Sequence, residues 1–542
     1  MNYPAEQSTM NASRHRYTLI ALFVISLAVY TLAALPMNLP DTMDSFYYYG
    51  TGSYLLQQGK LEEPFIWNYL ADPESVPTPS HLYWMPLPSF LVAASQWLFG
   101  YSFRASQVPF VLAAAFMPLI GYGFGWLIAQ RQNIALLTGG FVLLAGYYLP
   151  QMLVPETFSP FGILGGIALL TVGYWYKHHR FALLIIAGLC AGGAHLTRSD
   201  GLLVLFALVA AMLWHHRKVG TRKAISAIAL LVLGYSLVMA PWFVRNWTLI
   251  GSPLSSAGTK TMFLRHYDEL FSFGTVLSWQ RYFSWGWNQI LISKLGALWL
   301  NFQSFAAVNN LIILTPFTLI GLWKFRRKMW ITPVAIYTVA LYSVMTIFFT
   351  FPGVRGGVFH SSIALFPAFC ALALAGLEAA IEWIAERRPQ WNQASAFRFF
   401  SSGFLVIVLV LTAFLYLRRV VGSGTISQPA WNQNYSGMDT IGNLIRSQEE
   451  IDPVVMVGDP PAFYVITGLE AIVAPNENLE RTIAAARMYG ATYILLDQDY
   501  PQPLKSLYHG YDSNPVIQAV PLPADPELAE YRLFRVLDAS SQ

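Results

Sequence analysis

The sequence predicts a polytopic α-helical membrane protein of about eleven spans, with outer juxtamembrane helices and a small C-terminal α/β domain. Three observations predict it. Apolar residues make up 55% of the 542 positions and charged residues only 11%, against about 25% charged in an ordinary soluble domain. Apolar stretches approaching the roughly 20 residues that cross a bilayer recur along the first 420 positions. Charge is also split: from residue 421 onward there are 15 acidic and 6 basic residues, against 14 and 27 before it. The expected division is a membrane body over 1–420, with a first outer loop at 36–103, and an acidic soluble domain over 421–542.

Spans are expected at 17–35, 105–128, 132–150, 158–176, 181–198, 199–214, 224–242, 307–323, 331–351, 359–381 and 399–417. The N-terminus shows no cleavable signal pattern, so 17–35 is expected to stay as an anchor. A further apolar stretch, 83–99, is nearly long enough to span. The basic loops at 177–180, 215–223, 324–328 and 386–398 decide its placement, because Lys and Arg collect on the cytoplasmic side. With the N-terminus inside, those four loops fall inside only if 83–99 lies flat on the outer face. Pro86 and Pro88 suit that placement. The expected location is a cell (inner) membrane, with the C-terminal domain extracytoplasmic.

Parity then gathers 36–103, the turn at Glu156, the Arg198–Asp200 turn, 242–301, 351–360 and the tail on one outer face. In the tail, 454–459, 470–475 and 491–497 read as strands, 478–490 as a helix, and 530–538 as a strand closing the sheet. Cys190 and Cys370 both lie in apolar stretches and read as packing residues.

Phosphate loops of the P-loop type, H-E-x-x-H, G-x-S-x-G and Cys/His metal clusters are all missing. The spans are almost free of charge, whereas a transporter tends to carry ionisable groups near the bilayer centre. That weighs against a transporter or flippase of lipid-linked sugars; a non-catalytic scaffold is the other alternative. The candidate groups sit at helix ends. Asp44 opens "DSFYYYGTGSYLLQQG", expected as a surface helix whose dipole favours a charged carboxylate at its start, although a simple N-cap is an open reading. Asp41 reads as a solvated loop residue and the tyrosines as an interfacial belt. Glu156 in "LVPETFSP" has the same capping alternative. Arg198, Arg245, Arg355 and His360, with Lys260 and Arg265, offer an anion site, because guanidinium forks suit phosphate. A carboxylate can deprotonate a hydroxyl, cations can hold a phosphate leaving group, and paired acids can bind a hard cation.

Five stretches, in order, resemble the GT-C integral-membrane glycosyltransferases that use polyprenyl-phosphate sugars, including the protein O-mannosyltransferase and aminoarabinose transferase branch. They are "DSFYYYGTGSYLLQQG", "HLYWMPLPSFLVAASQWLFG", "LTRSDGLLV", "PWFVRNWTLIGSP" and "RGGVFHSSIALFPAF". The resemblance implies transfer of a sugar from a polyprenyl-phosphate carrier to an acceptor hydroxyl on the outer face. It implies Asp44, fifteen residues before Gly59, as the catalytic carboxylate and general base, with inversion at the sugar carbon. Glu156 becomes the second acidic residue, and Asp44 and Glu156 together the ligands of a divalent metal (Mg or Mn). His81, Arg198, Arg245, Arg355 and His360 become candidates for the lipid-phosphate site. Expected partners are the lipid-linked donor, a lipid, glycan or protein acceptor, and the bilayer, with no nucleic acid. Two departures stand out. Asp44-Ser45 replaces the Asp-Glu of most mannosyl and aminoarabinosyl members. The Trp-Trp-Asp-Tyr-Gly signature of oligosaccharyltransferases is also absent, which argues against asparagine glycosylation.

Overall fold

A computed structural model describes residues 4–388, 390–433, 435–449, 451–511 and 514–537. Pro389 of the 386–398 loop and Asp538 of the expected last strand lie outside them. The chain divides into two compact units. A helical unit comprises Met1–Pro36, Gln107–Leu254 and Ile292–Ser427, and a mixed unit comprises Met37–Ser106, Ser255–Leu291 and Gln428–Gln542. The boundary differs from the expected 1–420 and 421–542. The tail is not a unit by itself, because it shares a sheet and a core with the first loop.

Among the described residues seven helices are long and apolar enough to cross a membrane: His15–Ala34, Phe103–Ala129, Phe158–His178, Thr221–Ile250, Met329–Ile347, Phe366–Ala385 and Gln393–Val421. They coincide with seven of the expected spans, and the chain is a multi-pass membrane protein. The other four expected spans are shorter helices, each with a local cause. The 132–150 stretch stops at Leu144, where Ala145 and Gly146 both turn left-handed (φ 56° and 55°). In 307–323 the left-handed Leu311 and Ile312 delay the helix to Thr315, with Pro316 in its first turn. Between 181–198 and 199–214, Arg198 takes an extended conformation (φ −149°, ψ 139°), separating Ala182–Thr197 from Leu202–Trp214.

Small residues let these helices approach closely, as is common where no water drives association. Helix Ala182–Thr197 meets Thr221–Ile250 through Gly188 and Gly234; a Cβ on Gly234 would lie 2.6 Å from the Ile185 carbonyl oxygen. Gly321 and Gly376 do the same between Thr315–Phe325 and Phe366–Ala385, a Cβ on either striking the facing backbone. Outward faces carry exposed Leu, Ile, Val and Trp, such as Val410 and Trp214, which suits hydrocarbon surroundings.

The mixed unit is built on a six-stranded sheet. From edge to edge it runs Phe65–Ile66, Ala471–Val473, Val454–Val457, Ala491–Leu496, Arg532–Val536, Ile517–Val520. The first four strands are parallel and the last two antiparallel to their neighbours. The edge strand Phe65–Ile66 comes from the first loop. Helix Met43–Gln58 also packs into this unit: Phe46 shares a core with Val455, Val457, Ala462 and Phe463. Leu87–Phe99 is a 13-residue helix, roughly 20 Å long at 1.5 Å per residue and too short for a ~30 Å hydrocarbon core. It lies against Met43–Gln58 where Gly52 leaves room, a Cβ there coming within 2.6 Å of the Ser89 carbonyl.

Candidate active site

Asp44 sits in the first turn of Met43–Gln58 but does not cap it. Thr42 is the N-cap, its hydroxyl accepting from the Ser45 N–H at 3.3 Å. The carboxylate is therefore placed by the first turn of the helix, and the cap bond is made by Thr42. Gly59, left-handed at φ 67°, ends the helix with its N–H on Leu55. The fifteen-residue spacing thus marks the two ends of one helix.

Three expectations around Asp44 are corrected. The helix is not a surface helix, since Ser45 to Ser53 are all buried. Asp41 is not solvated: it is 6% exposed, and its carbonyl accepts from the Tyr435 hydroxyl at 3.1 Å. The tyrosines are interior groups rather than an interfacial belt. Tyr47 donates to Glu63 Oε2 at 2.6 Å, accepts from the His81 N–H at 3.0 Å, and lies edge-on to Trp84. Tail contacts hold the same helix, which is why periodicity alone read it as a surface element.

His81 is buried, and its two ring nitrogens meet the hydroxyls of Ser80 (2.9 Å) and Ser89 (3.0 Å). Lys260 donates to the Leu70 carbonyl and the Asp72 carboxylate, both at 2.7 Å. Arg265 bonds the Arg281 carbonyl and Ser284.

A second constellation lies within the helical unit. Glu156, 2% exposed, precedes helix Phe158–His178, and its Oε2 accepts the Thr157 N–H at 2.7 Å. It serves its neighbour rather than capping the helix turn. The Thr157 hydroxyl lies 3.4 Å from both His360 Nδ1 and Arg198 Nη1. A Glu156 carboxylate oxygen and a His360 ring nitrogen lie within 4.8 Å of one another. The His360 ring stacks on Phe158 at 4.5 Å between centroids. Burial first, then the Arg198 charge, hold this imidazole well below its usual pKa, so it is neutral at pH 7 with a lone pair to offer.

Arg198 Nε donates to Asp200 Oδ1 and to Ser361 Oγ, each at 3.1 Å. Glu156, Arg198 and His360, 204 residues apart at the extremes, thus meet around Thr157. Arg245 lies over the Trp242 ring at 4.6 Å and donates to Asn246; the exposed Arg355 closes a short turn, Gly353–Arg355. Nothing in the sequence alone marks Thr157, Asp200 or Ser361 as site residues; the one visible signal is the Arg-Ser-Asp spacing of 198–200, which reads as a turn.

No protein-family model matches the chain, and no curated protein sequence does. Solved structures do match. The archaeal oligosaccharyltransferase AglB from Archaeoglobus fulgidus, in complex with an inhibitory peptide and a dolichol-phosphate, superposes with a TM-score of 0.58 at 12% identity. It covers 92% of this chain and 70% of that one. ArnT from Cupriavidus metallidurans, bound to undecaprenyl phosphate, gives 0.54 at 13% identity over 96% of this chain and 98% of that one. The chain has the GT-C fold of these polytopic membrane glycosyltransferases. At such identities the likeness is one of fold, and chemistry has to be argued from the site.

Proposed function

We propose that the protein is a membrane glycosyltransferase that moves a sugar from a polyprenyl-phosphate carrier to an acceptor hydroxyl. The observation that carries this reading is the likeness to ArnT over nearly the whole of both chains, that neighbour being bound to undecaprenyl phosphate. Asp44 is the general base. Its carboxylate takes the acceptor proton, and the acceptor oxygen attacks the sugar carbon. The carbon–oxygen bond to the phosphate breaks, and the lipid phosphate leaves with the electron pair. One displacement from the opposite side inverts the centre.

Arg198 binds the phosphate, because a guanidinium matches its oxygens and stays charged when buried. The neutral His360 and the buried Glu156 suit a divalent cation of the Mn class, which accepts both oxygen and imidazole ligands. Bound there, the cation would neutralise charge on the leaving phosphate. The reaction side is the outer face of the inner membrane, with the N-terminus inside. Asp44→Asn tests the base: the variant should fold and retain undecaprenyl phosphate while transfer falls by about 10²-fold or more. Full transfer by Asp44→Asn ends this mechanism.

A further inference from the structure

We propose that Asp200 is a positioning residue, which with Ser361 sets the guanidinium of Arg198 and the turn bearing His360 for binding a lipid phosphate. The inference rests on the phosphate-binding reading of Arg198 given above and adds the groups that make it work.

The geometry is a closed ring. Arg198 Nε donates to Asp200 Oδ1 and to Ser361 Oγ, both at 3.1 Å, and the Ser361 hydroxyl donates to Asp200 Oδ2 at 2.6 Å. Two carboxylate oxygens, one hydroxyl and one Nε–H are thereby used against each other. This fixes the plane of the guanidinium and turns Nη1 toward Thr157. Ser361 directly follows His360, so the same hydroxyl anchors the turn carrying the imidazole. The Tyr337 hydroxyl holds the Ser361 carbonyl from a third helix at 3.1 Å. Gly357 completes the fit. A Cβ there would lie 2.6 Å from Asp200 Oδ2 and 2.7 Å from Met345, so the carboxylate occupies space that other residues would fill.

Both partners are mostly buried, Arg198 16% and Asp200 9% exposed at the side chain. A long Arg side chain loses rotamer freedom when it is held on a ligand, and pre-orienting it removes that cost from phosphate binding. Asp200 and Ser361 are given no contact with substrate; they act through Arg198 and His360.

The sign of the effect separates positioning from plain electrostatics. Asp200 is an anion beside a proposed anion site, so on Coulomb grounds alone its neutralisation should tighten phosphate binding. Positioning predicts the reverse. The full chain in detergent is titrated with undecaprenyl phosphate and, in parallel, with neutral undecaprenol. Asp200→Asn, Ser361→Ala and Gly357→Ala should each weaken the phosphate lipid roughly tenfold, the scale of one lost charge-assisted hydrogen bond, and leave undecaprenol binding unchanged. Equal or tighter phosphate binding by Asp200→Asn overturns the inference, as does a parallel loss for both lipids. If Asp200→Asn does not fold, Ser361→Ala and Gly357→Ala decide on the same criteria. Arg198→Gln is the reference. If it leaves phosphate binding intact, the phosphate reading itself fails; if it weakens binding while the other three do not, only the positioning role falls.

Discussion

Gly50 presses its bare backbone against Val465. A methyl group on Gly50 would sit 3.0 Å from Val465 Cγ2 and 3.3 Å from Phe65 Cε1. The helix that carries Asp44 is thus seated on a tail helix, Pro460–Thr467, and on the strand the first loop lends to the tail sheet. Gly50→Ala should therefore destabilise the protein. An alanine in mid-helix normally gains up to about 1 kcal/mol over glycine, whereas overpacking costs about 1–3 kcal/mol. A net fall in thermal midpoint reads out the packing, and Val465→Ala in the same chain should recover part of it. A rise in midpoint for Gly50→Ala alone would mean that the contact is loose.

The apolar elements were largely legible because each rests on local information. Tail strands at 454, 471 and 491 and the helix Leu479–Met488 appear where their short apolar runs and helical spacing put them. What escaped is what depends on distant partners. Phe65–Ile66 is two residues long and becomes a strand only beside Ala471–Val473. Tyr47 and Asp41 look like interface and solvent residues until Glu63 and Tyr435 are brought to them. In the site, Arg198 and His360 were visible as outer-end cations. Asp200 and Ser361 were not, since their meaning lies in a contact spanning 161 positions.

Tyr69 extends the same link between loop and tail. Its ring is buried, and its hydroxyl donates to the Val473 carbonyl at 2.6 Å. Tyr69→Phe keeps the ring packing, including the stack on Tyr489, and removes only this bond. Leaving a buried carbonyl without that donor costs about 1–3 kcal/mol. Chemical denaturation should show that loss in midpoint with an unchanged slope. An unchanged midpoint would mean that water replaces the hydroxyl.

Glu156 and His360 should make transfer depend on a divalent cation. Chelation should lower transfer by the full chain, and added Mn should restore it. Glu156→Gln removes an anionic oxygen and should raise the half-saturating Mn concentration by roughly 10–100-fold, the scale seen when a metal site loses a supporting group. Activity indifferent to chelator in both wild type and Glu156→Gln would remove the cation from the reading and leave Arg198 as the charge on the phosphate.

Asp459 should make the stability of the mixed unit fall as pH rises. Its carboxylate caps Pro460–Thr467 by accepting the Ala462 N–H at 3.1 Å. Burial raises its pKa from 3.8 to about 7; the Ala462 bond opposes the rise, and the charges of Asp497 and Asp44 add to it. Between those two values the folded chain keeps a proton that the unfolded chain has already released. Stability therefore declines with rising pH across about 4 to 7, with the penalty absent below that window and fully present above it. Asparagine caps a helix as well as aspartate does and carries no charge. Asp459→Asn should then match wild type near pH 4 and exceed it in thermal midpoint at pH 8. An Asp459→Asn variant less stable than wild type at pH 8 would show instead that the carboxylate is charged there and well satisfied, and that its nearness to Asp44 carries no strain.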